Sequence, residues 1–147
     1  MAEFQDRLKD LMIENNLNNL QLSKRLNISS TTVNDYFNKE YYPEINIAIS
    51  MSKFFDCSLD FLFGLSDTVE KRYDFEYDKM LSNFVNNVQK SLQRKGMSIA
   101  TFMKEVGMGE FTFYRWKRGK FPKTSKLVVI AKYLDISIDF LLAEVVE

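Results

Sequence analysis

Apolar residues recur along this chain at helical intervals, with polar residues filling the positions between them. Phe4, Leu8, Leu11 and Met12 mark one face of a first helix, and Leu81, Phe84, Val88 and Leu92 mark the face of another. A short helix is predicted over residues 19–26, stopping at Asn27, and a matching one over 99–106, stopping at Gly107. Asn and Gly adopt the left-handed backbone conformation most readily, so a sharp turn is expected at each. Third helices are expected over 30–38 and 110–118, fourth helices after Pro43 and Pro122, and fifth helices opening at Ser58 and Ser137. Those serines suit the N-cap, where a hydroxyl accepts a free backbone N–H, and Asp60 and Asp139 then fall in the positive first turn.

The same pattern is written twice. Phe54-Phe55-Asp56-Cys57-Ser58-Leu59-Asp60-Phe61-Leu62 returns 79 residues later as Tyr133-Leu134-Asp135-Ile136-Ser137-Ile138-Asp139-Phe140-Leu141, and Pro43 and Pro122 share that offset. Upstream of the prolines the offset is 80, pairing Phe4, Leu8, Met12 and Leu17 with Phe84, Val88, Leu92 and Met97. The same offset pairs Leu26, Ile28, Val33 and Tyr36 with Val106, Met108, Phe113 and Trp116. One deleted residue in a loop is expected to account for the change. Residue class at core positions is what repeats here, as in two copies of one fold with different surfaces. Residues 1–66 and 79–147 therefore read as two all-α domains of five short helices each.

Residues 67–78 lie between the copies. Tyr73, Phe75 and Tyr77 alternate with Asp74, Glu76 and Asp78, which suits an extended arm. Tyr73, Tyr77, Leu81 and Phe84 also stand at helical spacing, which suits an early start of the second copy's first helix. The helix is the favoured expectation because it needs no pairing partner.

Composition narrows the chemistry. With 147 residues, 46% apolar and 27% charged, the chain has enough apolar surface to fold. A small domain buries only about 60% of its unfolded surface, so the thirteen Phe and seven Tyr are read first as core. There is no His, a single Cys at Cys57 and no Gly-rich strand-to-helix turn. These absences exclude His-based general base catalysis, Cys/His metal sites and phosphate cradles, so neither an enzyme nor a cofactor is expected. Cys57 aligns with Ile136 and reads as a small buried hydrophobe. The start of the chain lacks the basic and apolar regions of a signal peptide, and no apolar run approaches the roughly 18 residues of a membrane span. A cytoplasmic protein with no membrane partner is the expectation.

Twenty basic and twenty acidic residues cancel overall, but the formal charge is −3 over residues 1–66, −3 over 67–78 and +6 over 79–147. Six cations cluster near the end of the second copy's third helix: Arg115, Lys117, Arg118, Lys120, Lys123 and Lys126.

A short helix, a tight turn and a second helix with a polar outer face form the helix-turn-helix unit, whose second helix lies in the DNA major groove. Leu22-Ser23-Lys24-Arg25-Leu26-Asn27-Ile28-Ser29, continuing to Tyr36, resembles the Cro and phage-repressor (Xre) helix-turn-helix family. Phe102 to Trp116, followed by Lys117-Arg118-Gly119-Lys120-Phe121-Pro122, resembles it again, and the Asp-x-Ser-x-Asp-Phe-Leu stretches resemble its closing helices. The resemblance spans about residues 4–64 and 81–143. It implies two tandem five-helix, lambda-repressor-like domains. It also implies sequence-specific binding to double-stranded DNA by a transcriptional regulator, expected to be a bacterial or prophage repressor.

The resemblance divides the third helix into two faces. In the first copy Val33, Tyr36 and Phe37 would face the core, leaving Ser30, Thr31, Asn34, Asp35 and Asn38 outward, flanked by Ser29 and Lys39. Short polar side chains suit hydrogen bonds to base edges or phosphates. Asn19 matches a position where the family often has a Gln that braces phosphate. The alternative for this face is plain solvation. In the second copy Ile99 replaces that amide, Met103 stands where the family prefers Ala, and Glu110, Phe111 and Tyr114 lie outward. Phe111 can touch a thymine methyl and Arg115 can fork onto guanine, while Arg118, Lys120 and Lys123 suit phosphates. Phe111 and Tyr114 equally suit a protein interface. A homodimer or partner contact through the second copy, with only the first copy reading DNA, therefore stays open. An antirepressor-like or antitoxin-like role through protein contacts alone also stays open, supported by the acidic first half.

Overall fold

The computed structural model describes residues 3–69 and 73–143, and every regular element among them is a helix. The chain divides into two compact units, Met1–Arg72 and Tyr73–Glu147.

Unit 1 contains α1 (Glu3–Glu14), α2 (Asn19–Leu26), α3 (Ser30–Asn38), α4 (Ile45–Phe55) and α5 (Leu59–Leu62). Its core gathers the apolar stripe of α1, where Phe4 and Leu8 are fully buried, with Leu22, Val33, Ile49, Met51, Leu59 and Leu62. The Phe4 ring lies 5.9 Å from Tyr36, 6.0 Å from Tyr42 and 5.6 Å from Phe63, centroid to centroid. Burying one such side chain contributes roughly 1.5–3 kcal/mol, so this aromatic knot anchors α3 to α1. Gln5 adds a polar tie by donating from Nε2 to the Tyr41 carbonyl at 3.0 Å. Cys57 is 1% exposed and packs as a small hydrophobe.

Unit 2 contains α6 (Met80–Lys95), α7 (Ile99–Glu105), α8 (Glu110–Lys117), α9 (Thr124–Leu134) and α10 (Ile138–Ala143). Phe84, Val88, Phe102, Met103, Phe113, Leu127, Ile130, Ile138 and Leu141 are fully buried. Trp116, in the register of Tyr36, stands edge-on to Phe84 at 5.2 Å and to Phe113 at 5.8 Å. Two asparagines on α6 reach the end of α10, where helix geometry leaves carbonyls without intrahelical donors. Asn83 donates to the Leu142 carbonyl at 3.0 Å, and buried Asn87 donates to that of Leu141 at 3.1 Å. Ser58 accepts from the Phe61 N–H at 3.0 Å and Ser137 from the Phe140 N–H at 3.2 Å, so both act as caps.

Three expectations need correction. The second copy's first helix does not start early: residues 73–76 have no regular structure, 77–79 form a turn, and α6 begins at Met80. Tyr77 is 50% exposed, so an added helical turn there would bury little apolar surface. It would still cost about 1–2 kcal/mol of backbone entropy per residue. The rest of that segment, residues 70–72, lies outside the described residues. The one-residue offset change lies in the third helix rather than a loop, since α3 has nine residues and α8 has eight. Finally, Phe37 is only half-buried. It lines an open groove of about 450 Å³ with Met12, Ile13 and Leu17 instead of entering the core.

Candidate nucleic-acid interface

The geometry of each candidate face is set by the turn before it. α2 opens with a capping box in which the Asn18 side chain accepts the Gln21 N–H at 2.8 Å while Gln21 Oε1 accepts the Asn18 N–H at 2.9 Å. Asn-x-x-Gln is a readable helix-start signature, and its two residues were not among the sequence-based candidates. The helix stops at Asn27, whose φ of 57° is left-handed, and the Ile28 N–H returns to the Ser23 carbonyl at 3.0 Å. In unit 2 Gly107 has φ 73°, and the Met108 N–H returns to the Met103 carbonyl at 2.8 Å. This pattern closes a helix and re-aims the chain within three residues. Both units therefore hold a second helix after a sharp turn.

On α3, Thr31, Asn34 and Asn38 are exposed, Ser30 and Asp35 are half-buried, and Val33 and Tyr36 point into the core. Asn19, at the first position of α2, donates from Nδ2 to Asn34 Oδ1 at 2.7 Å. The residue expected at phosphate and a residue expected at base edges are thus joined, a bond that uses neither the Asn34 NH2 nor the Asn19 side-chain oxygen. Ser29 is exposed and also serves its own helix. Its Oγ accepts the Thr32 N–H at 3.1 Å and lies 2.8 Å from the Thr32 hydroxyl, so it caps α3. Lys39 lies 3.8 Å from Asp35, and its Nζ lies 5.7 Å from the Tyr41 ring centroid. The one acidic group of this face is therefore partly neutralised.

The corresponding face of α8 is built from different chemistry. Phe111, Tyr114 and Arg115, with Arg118 at the C-cap, follow the spacing of one helix face and are exposed. Phe111 is 77% exposed, whereas Tyr114 is 38% exposed and stands perpendicular to the Phe113 ring with centroids 6.0 Å apart. Lys117 places Nζ 6.0 Å from the Tyr114 ring centroid. Glu110 opens the helix and is exposed. Ile99, half-buried, and Tyr114, exposed, occupy the register of Asn19 and Asn34, so the amide pair of unit 1 has no counterpart. All six cations from Arg115 to Lys126 are exposed, and none of them is in an ion pair among the described residues.

No group of side chains that could hold a metal ion, and no helix long and apolar enough to cross a membrane, occurs among the described residues. Comparison with known families matches residues 8–62 to the helix-turn-helix family and residues 87–143 to the Cro/C1-type helix-turn-helix DNA-binding domain. No curated protein and no solved structure matches the chain. The two matched stretches coincide with the two sets of capped, sharply turned helices, and the chain belongs to the Cro/Xre helix-turn-helix family, carrying two of its domains in tandem.

Proposed function

We propose that this protein is a sequence-specific double-stranded-DNA-binding transcriptional repressor of bacterial or prophage origin, acting in the cytoplasm. In this reading α3 supplies a neutral, hydrogen-bonding face for base edges through Thr31, Asn34 and Asn38, with Ser30 and Asp35 at its margin. α8 and the loop after it supply a cationic face for the phosphate backbone through Arg115, Arg118, Lys120 and Lys123. The observation that carries the reading is the pair of helix-turn-helix units with differently built outward faces in one chain. Single-unit members of such families reach two half-sites by dimerising. A chain with two units has two recognition helices without a partner, and two different helices suit an asymmetric operator.

Selection of bound sequences from a random duplex pool, with mass in solution measured by sedimentation, tests this. Two dissimilar half-sites bound by a monomer are expected. A single half-site, or no enriched sequence at all, would sink the tandem reader. A second reading rests on the exposure of Phe111 and Tyr114: these rings form a homodimer contact and only unit 1 reads DNA. It predicts a dimer at micromolar concentration that Phe111→Ser combined with Tyr114→Ser dissociates, since buried aromatic anchors often contribute at least about 2 kcal/mol.

A further inference from the structure

Phe111 is the most exposed large apolar side chain among the described residues, at 77%, and makes no contact with another aromatic ring among them. The surroundings discriminate between the surfaces that would cover it. Tyr114, the other half of a candidate adhesive patch, is half as exposed, stands perpendicular to the Phe113 ring and lies near Lys117 Nζ. The remaining neighbours on that helix face are the cations Arg115 and Arg118, in no ion pair among the described residues. A second copy packed two-fold on this patch would set its excess of cations against an identical excess, so a phenyl ring on the same helix face as two guanidinium groups is a poor fit to a second copy of this chain. It fits a duplex, where phosphates line the rim of a groove whose floor carries apolar methyl groups.

Charge along α8 agrees with that orientation. The helix opens with an acidic residue, Glu110, which phosphates would repel and which can accept an amino hydrogen from a base edge. Its other end and the following loop carry the cations. Helix-turn-helix recognition helices present their N-terminal residues to base edges, and Phe111 is the second residue of α8. Thr31 occupies the same register on α3, also exposed, so unit 1 has a small polar side chain where unit 2 has a ring.

We infer that Phe111 is a specificity-determining residue that packs against the C5-methyl group of a pyrimidine in the major groove. This rests on the DNA-binding function proposed above. Thymine and 5-methylcytosine both present that methyl group, and the test separates them. The duplex recovered by selection is resynthesised with each thymine in turn replaced by deoxyuridine, which removes only the methyl. In parallel, each cytosine is replaced by 5-methylcytosine, which adds one. Affinity is read by fluorescence anisotropy with the full chain. At one position the methylated base is expected to bind about three- to tenfold more tightly than its unmethylated partner. Phe111→Ala is expected to bind the two equally, at the wild-type affinity for the unmethylated duplex. A thymine effect assigns the contact to thymine and a cytosine effect to methylated cytosine. Because Phe111 is exposed, the variant should keep the wild-type circular dichroism and melting temperature.

Wild-type indifference to the methyl at every position, or a preference that survives Phe111→Ala, overturns the inference while leaving DNA binding intact. Loss of dimer mass in Phe111→Ala with unchanged methyl discrimination overturns it in favour of the adhesive reading. Failure of the wild-type chain to bind any selected duplex overturns the proposed function and this inference together.

Discussion

Tyr36 and Trp116 occupy one register in the two units, yet only one of them fits its site fully. Both are buried against the aromatic core. The Tyr36 hydroxyl is sealed from solvent with no hydrogen-bond partner, a cost of about 1–3 kcal/mol for a buried polar group. Tyr36→Phe removes the group and keeps the ring, so the unfolding free energy should rise by about 1 kcal/mol in urea. A fall would show that the hydroxyl has a partner. Burial first, and the negative charge of Glu44 second, push the Tyr36 phenol up from 10.0 to about 12. The folded protein then holds that proton between pH 10 and 12 while the unfolded chain releases it. Stability is therefore unaffected by this titration below pH 10 and falls as pH rises from 10 through about 12, a fall Tyr36→Phe should not show. Sequence alone places Tyr36 in the core, but whether a hydroxyl finds an acceptor depends on neighbours brought from distant positions. The outward residues are more readable, because one helix turn fixes which side chains share a face. Changing Thr31 or Asn34 should alter the preferred DNA sequence at a cost of roughly 1–3 kcal/mol per lost base contact. Melting temperature should stay near wild type. Unchanged preference in both variants would remove base readout from these two positions.

Element boundaries follow the local chemistry of caps, and they are legible where that chemistry sits in a few adjacent residues. Asn27 and Gly107 close the second helices, and Ser58 and Ser137 open the fifth, each in the conformation its residue type favours. The segment ahead of α6 misleads because Tyr73 and Tyr77 have helical spacing in a stretch where Tyr77 stays 50% exposed and no helix forms; periodicity cannot report how much surface a helix would bury. The ties from Asn83 and Asn87 to α10 are likewise invisible in sequence, since they join residues more than fifty positions apart. One asymmetry between the recognition helices follows from the caps themselves. Ser29 caps α3 with φ −74° and ψ 150°, while Gly109 takes φ −72° and ψ 145° before α8 with no side-chain cap. That backbone needs no glycine, and an added Cβ would meet only Thr112 Oγ1, at 4.0 Å. Gly109→Ser should therefore supply the missing side-chain acceptor and reduce the freedom of the unfolded chain. Together these should raise unit 2's stability by about 0.5–1 kcal/mol. Urea unfolding measures the gain, and slower amide exchange at Thr112 would place it at the cap. An unchanged midpoint would show that the Gly109 carbonyl, which accepts the Thr112 N–H at 3.0 Å, already serves it equally well.

Across the whole molecule, zero net charge conceals a division of labour between the proposed faces. α3 contains no basic residue, and the lysine at its end is paired with Asp35. Long-range attraction to a polyanion must therefore come from elsewhere. The charge of +6 over residues 79–147, with six exposed cations from Arg115 to Lys126 in no ion pair among the described residues, provides it. This division is legible in sequence because charge adds along a chain regardless of how the helices pack. Which cations touch phosphate is not legible, because that depends on docking. Each phosphate neutralised releases counterions and contributes a slope of about 0.9 to the fall of log affinity with log salt. A formally neutral protein should thus bind DNA with the steep salt dependence of a basic one. Lys120→Ala and Lys123→Ala, made separately, should each lower the slope by about 0.9 and weaken binding to all duplexes alike. Neither should change the preferred sequence, because phosphate contacts position a protein without carrying base information. Anisotropy titrations at several salt concentrations check this. A slope unchanged in both variants would place these lysines off the backbone, whereas a changed sequence preference would place them in the groove.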